Sequence, residues 1–338
     1  MRPRSLLLAA VLVLAAGCSS TAPTTPEPEV VPQAAFPVSV EHEFGTTTVP
    51  AAPQRVVSAG YTEHDTLLAL GVTPVAVTDW YGDHPYATWP WAKEKLGSAT
   101  PTVLTASDGP DYEKIAAQRP DLILATNAGL DRAQYDRLSA IAPTVAQPKG
   151  SIAWFGPWDA QARLIGAAVG KADEANALVD GLKKRFADTA AAHPAFAGTP
   201  AIFLQAPFYD GHAIAYQAGL STAFLTDLGF TVPADIDRFG RTGDVSQAHI
   251  PLENLGVLNA GKVLVWGTED AAARAELEAQ PVYRTLTPVQ NGNLVFTDAT
   301  LAGAIYFSSP LSLPYVLDHL VPQLDAALAG NPETKPAA

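Results

Sequence analysis

The chain has 338 residues, 48% hydrophobic and 16% charged, enough apolar material for one large or two ordinary domains and too much for whole-chain disorder. Its formal charge of −13, from 21 basic against 34 acidic side chains, argues against a duplex-DNA surface. The single cysteine, Cys18, excludes intrachain disulfides, cysteine-based zinc sites and iron–sulfur clusters.

Arg2 and Arg4 precede an unbroken apolar run, Leu6 to Ala16, closed by Gly17-Cys18. A basic start, a short apolar core and small residues before a cut site describe a secretory signal over residues 1–18. The run is too short for a bilayer, which takes about 20 residues. Cysteine directly after Ala15-Ala16-Gly17 resembles a lipoprotein signal, in which Cys18 is lipidated and becomes the first residue. Ala15 departs from the branched aliphatic usual there, and the alternative is an ordinary signal with an incidental cysteine. Residues 19–35 carry Pro23, Pro26, Pro28 and Pro32, and proline neither varies φ nor donates a hydrogen bond, so this stretch reads as a disordered tether. The folded part is then expected outside the cytoplasmic membrane, lipid-anchored to its outer face. No phosphate-binding glycine loop followed by Lys-Ser/Thr appears.

Strand signals recur, each followed by a loop and a helical pattern. Arg55–Ser58 leads through Ala59-Gly60-Tyr61 to Thr62 and an amphipathic segment from Asp65 to Leu70. Pro74–Val77, Asp121–Ala125 and Thr144–Ala146 are further short apolar strands, with helical patterns at Tyr112–Gln118 and Asp131–Ser139 between them. The alternation predicts parallel βα units, whose ligands meet the loops beyond the carboxyl ends of the strands. A helical region follows, Trp158 to Val169 and then Ala172 to His193, stopped by Pro194. The pattern restarts with strands at Ala201–Gln205, His212–Tyr216, Lys262–Trp266 and Leu294–Thr297, a helix at Ser221–Leu228, and a last helix from about Pro310 to Leu328. The expected organisation is an α/β protein of two βα lobes with mostly parallel sheets joined by one long rigid helix. Residues 36–157 form the N-terminal lobe, 158–197 the connecting helical region with its long helix at about 172–193, 198–330 the C-terminal lobe and 331–338 a tail.

Tyr112-Glu113-Lys114-Ile115 before Pro120–Leu124 is echoed by Leu252-Glu253-Asn254-Leu255 before Gly261–Val265. In each lobe a glutamate opens a short helix ahead of a buried strand. The macrodipole favours a carboxylate there by about 0.3–1 kcal/mol, so simple capping explains the pair without any further role.

Three stretches together carry a resemblance: Arg55–Glu63, Leu67–Pro74 and Arg119–Ile123. They resemble the periplasmic-binding-protein family that serves iron–siderophore and cobalamin ABC importers. Val72 through Gly97, with Asp79–Asp83 and Trp89-Pro90-Trp91, looks like actinobacterial ferric-siderophore-binding lipoproteins. The likeness runs in order over about residues 40 to 325 and is strongest from 55 to 147. It implies a clamshell whose single helix permits only small lobe movements, and it implies that Glu113 and Glu253 dock the two lobes onto the arginine pockets of an ABC permease. It further implies a protein that captures a ferric siderophore and delivers it, monomeric, held to the membrane by its lipid, with no nucleic acid partner.

A siderophore satisfies ferric iron with its own oxygens, so no cofactor or protein metal ligand is expected, with iron arriving only as the siderophore complex. What such a cargo needs is aromatic surface and a few donors. Loop residues of that kind are Tyr61, Trp80, Tyr81, Asn127, Trp154, Phe155, Gln205, Phe208, Tyr209 and Trp266, each of which could equally be packing. Trp89, Trp91 and Trp158 are assigned to packing. Arg238 and Arg241 flank Phe239-Gly240, where a guanidinium could grip an anionic ligand oxygen or simply pair with Asp235, Asp237 or Asp244.

Haem is a rival ligand, with Tyr61, Tyr81, His84 and Tyr209 as candidate axial groups, and cobalamin and ferric citrate are others. A bare-metal site is disfavoured, since His64 and His84 sit beside acids but no histidine pair at i,i+4 exists. An extracytoplasmic hydrolase is the alternative of another class. Neither Gly-x-Ser-x-Gly nor His-Glu-x-x-His occurs, so no catalytic residue is assigned and an enzyme is not expected.

Overall fold

The architecture is that of a computed structural model, which describes residues 35–106, 109–241 and 244–334. The signal segment, Cys18 and the tether up to residue 34 lie outside the described residues. The chain from Ala34 onward forms one compact unit.

It opens with an antiparallel hairpin of β1 (Val38–His42) and β2 (Gly45–Val49), whose Val40 and Val49 are buried against the first lobe. That lobe alternates β3 (Val56–Ser58), α1 (Glu63–Ala69), β4 (Ala76–Thr78), α2 (Lys93–Leu96), β5 (Thr102–Leu104), α3 (Tyr112–Ala117), β6 (Leu122–Ala125), α4 (Arg132–Ser139) and β7 (Thr144–Ala146). β3, β4, β6 and β7 are buried at every position, as strands covered on both faces by helices must be, and their sequences are apolar runs rather than alternations. Asp131 closes the start of α4 with a capping box, its carboxylate accepting from Gln134 N while the Gln134 side chain accepts from Asp131 N. All five strands are parallel, in the order β5-β4-β3-β6-β7. The order reverses between β3 and β6, so the loops leaving those two strands diverge and open a crevice at their carboxyl ends.

The crossing to the second lobe is helical: α5 (Trp158–Ala168), then α6 (Ala172–Ala192). With 21 residues, α6 is about 30 Å long. Its first half buries Ala175 in the first lobe's core and its second half buries Leu182 and Phe186 in the core of the second. One continuous helix therefore belongs to both cores, and swinging the lobes apart would uncover apolar surface at one of its ends.

The second lobe contains β8 (Ala201–Tyr209), β9 (His212–Tyr216), α7 (Ala223–Thr226), β10 (Gly240–Arg241), β11 (Asp244–Pro251), a 3-10 helix (Leu252–Ala260), β12 (Val263–Gly267), α8 (Ala271–Ala279), α9 (Thr287–Asn291), β13 (Leu294–Phe296), α10 (Ala299–Phe307) and α11 (Ser312–Leu328). Its sheet runs β10-β11-β9-β8-β12-β13. Here the observed sheet is mixed: β8, β12 and β13 are parallel, while β9, β11 and β10 are antiparallel to their neighbours. The cause is local. Asp210 and Gly211 take φ of +47° and +71°, so β8 turns straight back into β9 through a two-residue hairpin instead of crossing over through a helix.

The lobes also touch directly. The fully buried Asp65 on α1 accepts from Trp91 Nε1 at 2.8 Å and from the Ser309 hydroxyl beyond α10. Trp89 lies against Gly303 of α10 so closely that a β-carbon there would enter its ring. Trp89 and Trp91 thus pack where the lobes meet. The Arg185 guanidinium on α6 pairs with Asp318 on α11.

Candidate ligand-binding cleft

A cavity of about 430 Å³ opens between the lobes at the carboxyl ends of β3 and β6. The first lobe supplies Thr62, Glu63, Thr66, Trp80, Asn127 and Phe155; α5 supplies Trp158, Asp159, Gln161 and Ile165; and Lys183 projects from α6. The second lobe closes it with Phe203, Tyr216, Ser246, Gln247, the segment Leu220–Asp227 and the end of α10 from Ile305 to Pro310.

One wall is a continuous set of rings. Tyr61 is sandwiched between Trp80, at 5.5 Å and 14°, and Trp154, at 5.1 Å and 19°. Phe155 tilts onto Trp80 at 4.9 Å, and Tyr81 meets Trp80 edge-on at 4.7 Å. Phe307, from the opposite lobe, touches Trp80 at 5.3 Å and Trp91 at 5.4 Å. Trp154 and Phe155 stay partly exposed, at 39% and 36%, so this surface faces the opening rather than the core.

Beneath the rings lies a buried polar frame. Glu63 is 1% exposed, and its carboxylate accepts the backbone N–H of Asn127 at 2.7 Å and of Thr62 at 3.1 Å. Burial raises its pKa from the usual 4.5 to about 6, the hydrogen bonds from Asn127 and Thr62 only partly offsetting it. Asn127, also 1% exposed, donates its Nδ2 to Thr62 and accepts from Phe155 N at 2.7 Å. The loops after β3 and β6 and the segment carrying Trp154 and Phe155 are therefore tied at one point. Gly60 is required there, because a β-carbon would collide with the Glu63 carboxylate and the Asn127 backbone. Phe155 sits at φ +51°, and its N–H bond to Asn127 holds that left-handed backbone in place.

Of the residues singled out from sequence, Trp80, Asn127 and Phe155 line the cavity, and Tyr61, Tyr81 and Trp154 form the ring layer around them. The Tyr81 hydroxyl is buried, and this raises its pKa. Gln205 is exposed on β8, and Tyr209 stands 69% exposed at the hairpin tip. Phe208 packs edge-on against Trp266, which is fully buried in the second lobe's core, so neither the geometry nor the exposure of Trp266 suits a stacking surface for a ligand. That expectation is corrected: β12 is a central strand covered on both faces, and its last side chains are core. Arg238 is exposed with its guanidinium 5.0 Å from its own neighbour Phe239, outside the cavity lining. Arg241 belongs to β10, and its side chain is not among those described. Trp158, expected only to pack, lines the cavity as well as the second core.

Sequence reasoning missed Glu63, Tyr216, Tyr306 and Phe307. Neither Tyr216 nor Phe307 carried a signal: His212–Tyr216 is apolar after its first residue, and Ala299–Phe307 is apolar apart from Thr300 and shows no face. Glu113 and Glu253 are both exposed in the first turns of their helices, α3 and the 3-10 helix. Among the described residues no group of three or more His, Cys, Asp or Glu is placed to hold a metal ion, and no helix is long and apolar enough to cross a membrane.

Two α/β lobes on one shared helix, with a ring-walled cleft at the switch point, define a solute-binding clamshell. Residues 56–301 match the family model described as periplasmic binding protein, and the chain belongs to that family. It is 46% identical to a periplasmic solute binding protein of Mycobacterium smegmatis, whose crystal structure superposes with a TM-score of 0.80 over 86% of this chain and 98% of that one. A putative ABC transporter substrate-binding lipoprotein of Bacillus subtilis, YhfQ, is 28% identical over 87% of this chain and 90% of its own. The fold is shared with PiaA of Streptococcus pneumoniae, solved with ferrichrome, at a TM-score of 0.72 and 24% identity over 87% and 99% of the two chains.

Proposed function

We propose that this protein captures a ferric siderophore outside the cytoplasmic membrane and hands it to an ABC permease. The observation that carries the reading is the cleft: a ring wall of Tyr61, Trp80, Trp154 and Phe155, fixed from below by Glu63 and Asn127 and closed by Phe307 of the other lobe. A bulky chelate offers flat organic surface to such rings, and its iron arrives already coordinated. The family is one of substrate-binding proteins, and in this reading the chain performs no covalent chemistry; ATP hydrolysis belongs to a separate subunit.

Delivery is assigned to Glu113 and Glu253. Both are exposed in first helical turns, one on each lobe, where the helix end already favours negative charge. Paired carboxylates fix orientation on a basic surface more than they add affinity. Cys18 is assigned as the lipid attachment that keeps the monomer at the membrane.

Quenching of tryptophan fluorescence on titration with ferric siderophores tests capture, and uptake of labelled iron by cells carrying E113A/E253A tests delivery. The expected result is saturable quenching, with uptake lost in the double variant while its binding is retained. Full uptake by the double variant, with normal binding, would end the docking assignment.

A further inference from the structure

Resting on the ferric-siderophore reading, we propose that the cleft selects its cargo by charge, accepting neutral or cationic ferric chelates and discriminating against anionic ones. The described walls hold three carboxylates, Glu63, Asp159 and Asp227, against one cation, Lys183. That cation is already committed, since its ammonium is ion-paired with Asp159. Asp227 stands near enough to feel both partners, the lysine drawing its pKa down and Asp159 pushing it up, with burial the larger influence and upward. Arg238 does not change this balance, because it lies outside the lining with its guanidinium over Phe239. The remaining wall is Trp80, Phe155, Trp158 and Phe307, and ring faces carry the negative end of the aromatic quadrupole.

Among the described side chains, a ligand entering this cavity meets π faces and one carboxylate outside the Lys183–Asp159 pair, Asp227, because Glu63 lies beneath the rings with its carboxylate held by the N–H groups of Thr62 and Asn127. Three singly charged hydroxamates neutralise ferric iron, so a trishydroxamate chelate is neutral, or cationic when it carries a free amine. Polycarboxylate and tris-catecholate chelates keep net negative charge and would be placed against Asp227 with no free cation in the described wall to offset it. Like-charge juxtaposition of that kind is one way a binding site rejects a wrong partner. A protonated amine on the chelate, by contrast, finds Asp227 at the lysine-bearing end of the cavity.

The test is a fluorescence titration of the full chain with ferrioxamine B as the cationic probe, ferrichrome as the neutral one and ferric dicitrate as the anionic one. The first two are expected to bind at least about tenfold more tightly than the third. D227N should weaken ferrioxamine B more than ferrichrome, and raising the salt should narrow that difference. Ferric dicitrate binding as tightly as ferrichrome, or D227N weakening both hydroxamates equally, would overturn the charge selection while leaving the siderophore reading in place. Failure of all three chelates to bind would overturn that reading and this inference with it.

Discussion

The two lobes solve the same packing problem with different sheets, and the difference decides what each gives to the cleft. The first sheet is wholly parallel and reverses its strand order between β3 and β6, so two loops meet at one crevice. Their residues, Tyr61, Glu63 and Asn127, are bound into a single frame. The second sheet spends half its strands on an antiparallel extension that begins at the Asp210-Gly211 turn. Its carboxyl-end loops do not converge in that way, and its main contribution is the end of α10 with Tyr306 and Phe307. A rigid shelf faces a helix end, and the cleft is stiff on one side by hydrogen bonding and on the other by core packing.

The largest effect should come from breaking the seam that joins the sides. Asp65 has no solvent contact and depends on Trp91 and Ser309 for its hydrogen bonds. Ser309→Ala removes a hydrogen bond to a fully buried carboxyl that water cannot replace, which costs about 3 kcal/mol at the upper end of such losses. Urea denaturation measures it. A loss under about 0.5 kcal/mol would mean that this hydrogen bond adds little to the ring contacts of Trp89 and Phe307 in joining the lobes. Next comes the shelf itself: Trp80→Ala removes the ring that Tyr61, Tyr81, Phe155 and Phe307 all touch, and affinity for the ferric chelate should fall by about 50-fold. Fluorescence titration reads it, and an unchanged affinity would move the binding surface to the second lobe.

The frame under the shelf has a pH signature. The carboxyl of Glu63 titrates at about 6 in the folded protein because burial disfavours its ionised form. Its contribution is complete below the unfolded value near 4.5 and declines as pH rises through 6, by about 2 kcal/mol in all. Stability measured between pH 4 and 7 should therefore carry a downward component with rising pH that Glu63→Gln abolishes. If the variant keeps the wild-type slope, the frame is not where the proton is released.

Much of the first lobe is legible from its residues, because buried parallel strands are short apolar runs and their helices are amphipathic. Thr144–Ala146 is found as expected, Asp131 caps α4, and α6 ends within a residue of the position set by His193-Pro194. The second lobe is harder. Asp210-Gly211 is a two-residue hairpin signal, yet the flanking strands alternate only weakly, so the turn is easily read as a loop in a βα repeat. β11, Asp244–Pro251, mixes Ser, Gln and His with its apolar residues, and Ser246 and Gln247 line the cleft. Among the tryptophans, loop position alone does not separate surface from core: Trp80 and Trp266 both follow or end apolar strands, and only the third dimension distinguishes them.

That pair sets the smallest and most discriminating prediction. Trp266 is fully buried and contacts Phe208 and Tyr283, on the far side of β12 from the rings of the first lobe. Trp266→Phe keeps an aromatic ring in the same pocket, so stability should fall by only about 1–2 kcal/mol and affinity should stay within about twofold. Its indole should also contribute emission that ligand does not quench, so the variant's fractional quenching should rise slightly above that of the wild type. Trp154→Phe should act oppositely, since that indole is 39% exposed and stacked on Tyr61: its loss should lower the quenched fraction. Equal quenching changes from the two substitutions would mean that ligand reaches both lobes alike, and the division between a recognising shelf and a supporting core would fall.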